Sequence, residues 1–343
     1  MKALVLEDYK KMVYKDMPEP VIGDKDVLVR VKACGICGSD IHGYDGSTGR
    51  RIPPLVMGHE ASGVVEKTGT GVKSWKAGDR VTFDSTVYPL NDWFTLEGSY
   101  NLSDNREVLG VSPGTYRRDG AFAEFVAVPE HILYRIPETV TFEQAAMVEG
   151  IAVALHAVRI AGLKTGERCV VIGAGMIGIS VIKLLAVSGA SQIIVVDTNP
   201  VCLDKALKAG ATAAFRAEAP GLVTKIISRT KNRGADISFE VVGKTESVNL
   251  AIETLRKGGR TVLIGNVSPE IDFPLQKVVT RELSILGSCA IRGEYETVLE
   301  LMESGKIGTD DQVMAVAPLS EGAEWFGRLY SGKGGSGKVI LVP

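Results

Sequence analysis

The chain reads as a two-domain α/β protein: a doubly wound parallel sheet set into a second domain of short β-strands. Three observations predict this. Roughly the first 140 residues carry brief β-type runs broken by Gly, Pro and Asp. From residue 169 strand-like and helix-like runs alternate. At the first of those alternations stands Gly173-Ala174-Gly175-Met176-Ile177-Gly178.

The β-type runs of the first region are 3–6, 27–31, 63–65, 79–83, 122–128 and 132–136, a pattern that suits a barrel-like domain. Near residue 145 the rhythm changes, and 145–160 is Ala-rich with apolar residues at helical spacing. Strands are then expected at 169–172, 193–196, 213–215, 237–241, 261–264 and 283–286. Helices are expected at 176–188, 202–208, 222–229 and 247–255. Six strands with crossover helices make a doubly wound sheet. A last helix begins at Tyr295, and the apolar run 338–342 is expected to return as a strand to the first domain. The domains are therefore 1–150 with 290–343, and 151–289.

At 343 residues the chain is long enough for two cores. A formal net charge of −2 gives no overall attraction to nucleic acid or an anionic membrane. No run approaches an uncharged membrane span, and the apolar stretch 3–6 is cut by Glu7 and Asp8, too short for a signal peptide. Cys34, Cys37, Cys169, Cys202 and Cys289 are odd in number and scattered. That argues against a disulfide framework and for a reducing, cytoplasmic setting.

The Gly-rich run has the context of a dinucleotide site. A buried-strand run precedes Gly173 and a helix opens at Met176. Gly173 permits the tight turn, Gly175 lets the backbone approach a pyrophosphate, and Gly178 lets helix and strand pack closely. With Met176 and Ile177 the helix N-terminus faces the phosphates with unpaired N–H groups. Asp197 ends the next strand, about twenty residues on. A carboxylate there accepts from the ribose hydroxyls and repels a 2′-phosphate, so NAD is expected rather than NADP. The plainer reading of Asp197 is a cap for the following helix.

Cys37-Gly38-Ser39-Asp40-Ile41-His42 and Gly58-His59-Glu60 carry the second site. A thiol, an imidazole and a carboxylate from two turns can hold one Zn²⁺ and leave a coordination position open, the mark of a catalytic zinc. Ser39 and His42 lie beside the thiol, where they can carry a proton. Gly58 allows the turn that points His59 and Glu60 the same way. Cys34 is expected to be a small buried residue. Glu149 sits in an apolar helical segment, so it must be exposed, paired or bound to a metal. His156, seven residues on, is read as a packed core histidine.

In this order the motifs resemble the zinc-containing medium-chain alcohol dehydrogenases, and among them the polyol branch of sorbitol and galactitol-phosphate dehydrogenases. The likeness runs nearly end to end. It adds Asp119-Gly120-Ala121-Phe122-Ala123-Glu124, Met147-Val148-Glu149 and Gly337-Lys338-Val339 to the motifs above. It implies a GroES-like catalytic domain interrupted by a Rossmann domain. It implies Cys37, His59 and Glu60 around one zinc, with Glu149 as a further or water-linked ligand and Glu60 counted among the catalytic groups. Ser39 and His42 match the family's proton relay. Tyr44, Phe122 and Arg281 are substrate-pocket candidates by resemblance alone.

Two departures stand out. Relatives with a structural zinc carry four cysteines where this chain has Pro89, Asp92, Thr95 and Ser103, so residues 87–106 are expected to rely on packing of Trp93 and Phe94 or to stay mobile. Gly150 follows Glu149 where relatives usually have Pro. Hydride transfer from a secondary alcohol, a polyol or sugar alcohol, to NAD is the expected activity, with a small-molecule substrate and a homodimer or homotetramer. The alternatives are amino-alcohol oxidation as in threonine dehydrogenases, a zinc-free quinone reductase, and a non-catalytic NAD-binding protein that kept the fold. Arg50 and Arg51 are read as a solvated loop face rather than a phosphate site.

Overall fold

The computed structural model describes residues 1–112 and 117–343. Chain contacts divide it into two compact units, Met1–Glu149 with Ile291–Pro343, and Gly150–Ala290.

The first unit is built around the strand Asp26–Gly35. Val27, Leu28, Val29 and Val31 are buried there, while Arg30 and Lys32 face outward. This strand pairs antiparallel with Glu60–Thr68 on one side; on the other, Phe125–Pro129 covers its first half and Lys338–Val342 its end. Gly35 is thereby opposite Glu60 and also opposite Ile340. Leu4, Leu6, Phe83, Phe122 and Phe326 fill the core beneath the sheet. The 338–342 strand returns to this unit, but its neighbour was not legible in the sequence. Val313–Pro318 runs parallel to it, and the helix Gly322–Tyr330 makes the crossover between them.

Residues 87–106 hold their shape by a route different from the one expected. Trp93 touches Phe94 edge-on but is 67% exposed, so it anchors little. Asp92 instead caps the short helix Trp93–Leu96, accepting from Thr95 N at 2.7 Å. Its other carboxylate oxygen accepts a short hydrogen bond from the Ser103 hydroxyl. Tyr88 stacks on Tyr100, centroids 4.1 Å apart. The Tyr100 hydroxyl donates to the buried Asp84 at 2.8 Å and accepts from Gly293 N at 2.8 Å.

The second unit carries a six-stranded sheet, its pairs all parallel. Its strand order is Ala213–Arg216, Gln192–Asp197, Arg168–Ile172, Ala235–Glu240, Leu255–Leu263, Ser284–Gly287. Val170 and Val171, adjacent in sequence, are both fully buried, as a strand covered on both faces requires. Pro200 at the first helical turn and Asn199 as cap start the next helix two residues earlier than expected, at Pro200–Lys208. The helix expected over 247–255 is Thr245–Glu253, capped by Thr254, and Leu255 already belongs to a strand. Strand order reverses direction beside Arg168–Ile172, which puts the ligand-binding switch point at the end of that strand. Among the described residues no helix is long and apolar enough to cross a membrane.

Candidate metal centre and nucleotide pocket

In the first unit, ligand atoms of Cys37, His59 and Glu60 all lie within 4.8 Å of one another. Each is delivered by a local feature. Cys37 is the N-cap of the helix Gly38–Gly43, and its N–H donates to Asp40 Oδ2 at 3.2 Å. His59 and Glu60 follow Gly58, whose φ of +96° turns the chain into the strand Glu60–Thr68. A Cβ at position 58 would also lie 2.8 Å from Phe122 N and 2.9 Å from the sulfur of the buried Cys34. Conformation and crowding both require glycine there.

Three further residues complete the centre. Asp40, fully buried, accepts from Arg51 Nη2 at 2.9 Å, and the same oxygen faces His59 Nδ1 at 3.4 Å. Burial works to raise the Asp40 pKa, but His59 and Arg51 outweigh it and hold the carboxyl well below its ordinary range. With Nδ1 turned to a carboxylate, His59 offers Nε2 as the ligand atom. Burial likewise works to lower the His59 pKa, yet Asp40 and Cys37 lift it well above the usual value. The field that retains a proton there also favours a divalent cation. Glu60 Oε2 meets Lys338 Nζ at 2.5 Å, both groups buried. The donor set of sulfur, imidazole nitrogen and carboxylate oxygen suits zinc, and three protein ligands leave a fourth position open.

Glu149 stands beside this group. It accepts from the Ser85 hydroxyl at 3.3 Å. Loss of solvation raises its pKa, with His59 pulling it down and Glu60 pushing it up. Ser39 is exposed, and its Oγ accepts from Arg51 Nη2 at 3.1 Å; His42 is exposed on the last turn of the same short helix.

Arg51 corrects the sequence reading: it is 3% exposed and ion-paired to Asp40, while Arg50 is exposed. The three pocket candidates each make contacts of their own. The Tyr44 hydroxyl donates to Lys10 O at 2.6 Å and its ring meets Phe326 and Tyr330. Phe122 is core, its ring edge-on to Phe326. Arg281, in the second unit, donates to the carbonyls of Ile252 and Leu255 at the end of a helix. Asp40, Arg51 and Lys338 are the residues that sequence reasoning missed. Asp40 and Lys338 stood inside quoted motifs, but nothing in linear order said what they face.

In the second unit, Gly173 adopts φ +100°, and Gly175 is the N-cap of the helix Met176–Val187 and makes no side-chain cap bond. This puts a helix N-terminus, the positive end of its dipole, at the end of a buried strand. Asp197 Oδ2 accepts from Ala174 N at 2.6 Å and Oδ1 from Asn199 N at 2.7 Å. The helix cap is Asn199 and not Asp197. A cavity of about 520 Å³ opens here, lined by Gly173, Asp197, Val242, Lys244 and Leu250 among others. His156 is buried, as a core histidine should be.

Residues 23–138 match the family model of the alcohol dehydrogenase GroES-like domain, and residues 176–304 that of the zinc-binding dehydrogenases. D-xylulose reductase A of Aspergillus niger is 35% identical over 97% of this chain and 94% of its own length. Among solved structures, 2R,3R-butanediol dehydrogenase from Bacillus subtilis superposes with a TM-score of 0.89 at 32% identity, covering 100% of this chain and 99% of that one. Alcohol dehydrogenase TADH from Thermus sp. ATN1 does so with 0.93 at 31%, over the same shares.

Proposed function

Because this chain belongs to the zinc-binding alcohol dehydrogenases and is an oxidoreductase, we propose that it oxidises a secondary hydroxyl of a sugar alcohol with NAD as hydride acceptor. The observation that carries this is the trio Cys37, His59 and Glu60 with ligand atoms within 4.8 Å, its imidazole oriented by Asp40. A zinc ion held there supplies Lewis acidity that lowers the pKa of a bound hydroxyl. Glu149 is the further carboxylate of the site, direct or through water. Ser39 takes the substrate proton and His42, exposed three residues on, passes it to solvent. The 35%-identical D-xylulose reductase supports a pentitol such as xylitol, or a close relative, as the substrate class.

Gly173, Gly175, Met176, Ile177 and Gly178 cradle the cofactor pyrophosphate, and Asp197 meets the adenosine ribose. The preference for NAD is supported by charge. Asp197 and Glu246 line the cavity with Lys244, and Glu253, also in its lining, is paired with Lys277; among the described residues, two acids to one cation make a poor setting for a 2′-phosphate. The strand Ser284–Gly287 is a sheet edge, and Ile285, Leu275 and Val279 near it are exposed. Pairing of two such edges makes a homodimer, the oligomer we favour. Five free cysteines fit a reducing, cytoplasmic setting.

The test follows NADH or NADPH formation across xylitol, other sugar alcohols, their phosphates, threonine and simple secondary alcohols, before and after chelation and zinc return. Zinc-dependent turnover of a polyol with NAD is the expected result. Turnover that ignores chelation would sink the metal reading, and a preference for threonine the polyol reading.

A further inference from the structure

A buried ammonium beside a cation site works against the ion that site must hold. Lys338 is nevertheless 6% exposed at the first residue of the strand Lys338–Val342, with Nζ 2.5 Å from Glu60 Oε2. The two residues are not on adjacent strands. Glu60 lies opposite Gly35 on one side of the strand Asp26–Gly35, and Ile340 lies opposite Gly35 on the other. Lys338 therefore reaches Glu60 across the width of a strand. A methyl group at position 35 would sit 2.7 Å from Glu60 Oε2 and 3.2 Å from Lys338 Cδ. Gly35 is not among the glycines with positive φ, so close approach and not backbone torsion requires glycine here.

We propose that Lys338, reaching through the gap at Gly35, holds Oε2 of Glu60 and so limits Glu60 to one oxygen toward the metal ion. The inference rests on reading Cys37, His59 and Glu60 as ligands. Asp40 is already matched by Arg51, which leaves the Cys37 thiol, the His59 imidazole and the Glu60 carboxylate as the convergent donors, with Glu149 in the field of His59 and Glu60. Lys338 offsets the Glu60 charge and keeps its second oxygen from closing on the ion. The centre thus grips metal less tightly than its donors allow, and a coordination position stays free for substrate. Lys338 is a positioning residue: it acts through Glu60.

Full-length wild type, Lys338→Met and Lys338→Arg are compared for zinc affinity by competition with a chromophoric chelator, and for coordination number by the visible spectrum of the Co²⁺ form. Lys338→Met should bind zinc at least about tenfold more tightly. Its Co²⁺ band should weaken as coordination number rises, and its kcat/KM should fall mainly through a higher KM. Lys338→Arg, which keeps the charge, should stay within about threefold of wild type in affinity. A lysine needed only for folding would lose metal and activity together. Folded Lys338→Met with unchanged or weaker zinc binding would overturn the proposal. Wild type alone gives an independent check should Lys338→Met not fold. The zinc-induced infrared difference spectrum, with Glu60→Gln subtracted, should show the widely split carboxylate bands of one-oxygen ligation. Two-oxygen bands would overturn it. Wild type that binds no zinc would fail the metal reading first and this inference with it.

Discussion

Two regions of the first unit solve the same problem, fixing a loop-rich segment, by opposite means. Around Cys37, His59 and Glu60 the chain pairs two buried carboxylates, Asp40 with Arg51 and Glu60 with Lys338, and the thiol, imidazole and Glu60 carboxylate donor atoms still converge within 4.8 Å. In residues 87–106 Asp92 accepts from the Thr95 N–H and the Ser103 hydroxyl, so that hydrogen bonds join three of the positions where relatives place cysteines. Convergent sulfur, nitrogen and oxygen donors call for a cation. A carboxylate whose oxygens accept from its own neighbours does not. The contrast teaches that loss of cysteines from one region says little about metal binding in another.

The largest break of this contrast is Cys37→Ala. It should lower turnover by about three orders of magnitude or more and remove bound zinc, by metal analysis, while NADH binding by fluorescence persists. Retained turnover would refute the centre. Asp40→Ala comes next, because it strips the partner from the buried Arg51 and the orienting group from His59. We expect about 3–5 kcal/mol lost in urea unfolding and zinc affinity down by about 10–100-fold.

Asp84 sharpens the comparison from the other side, since it is the buried carboxylate on which Tyr100 rests. Burial raises its pKa from an ordinary 3.8 to about 6, against the hydrogen bonds from Thr86 and Tyr100. Between those values the folded state binds more protons than the unfolded state, so its contribution to stability falls as pH rises from about 4 to about 6. Asp84→Asn should match wild type near pH 4 and exceed it near pH 7 by up to about 3 kcal/mol in thermal or urea unfolding. An equal difference at both pH values would contradict the raised pKa. The smallest effect belongs to Asp92→Ala, which removes a helix cap. It should cost about 1 kcal/mol and speed amide exchange in residues 92–103, and chelators should leave that exchange in wild type unchanged.

Much of this was legible in linear order because it depends on local chemistry. Gly173 to Gly178 spelled out a strand, a turn and a helix start, and the structure has a buried strand, a Gly173 φ of +100° and a helix from Met176 in that order. Cys37 and the His59-Glu60 pair were found because ligand types cluster within short turns. The 313–318 strand escaped because its alternate residues are exposed and its pairing depends on a crossover helix. Arg51 was misjudged because exposure of a charged loop residue is settled by what stands opposite it, and Asp40 is eleven residues away.

The sequence by itself determined the doubly wound sheet, the Gly-rich cofactor turn and the ligand types of the metal centre, since periodicity and motif spacing act over a few residues. Tertiary structure alone decided which groups surround those ligands. Asp40 turned to His59 and Lys338 across Gly35 to Glu60 are contacts between separate elements, and even Asp92 joined to Ser103 spans eleven residues. Electrostatics in a buried site depends on distances through space, and those exist only once the strands are paired.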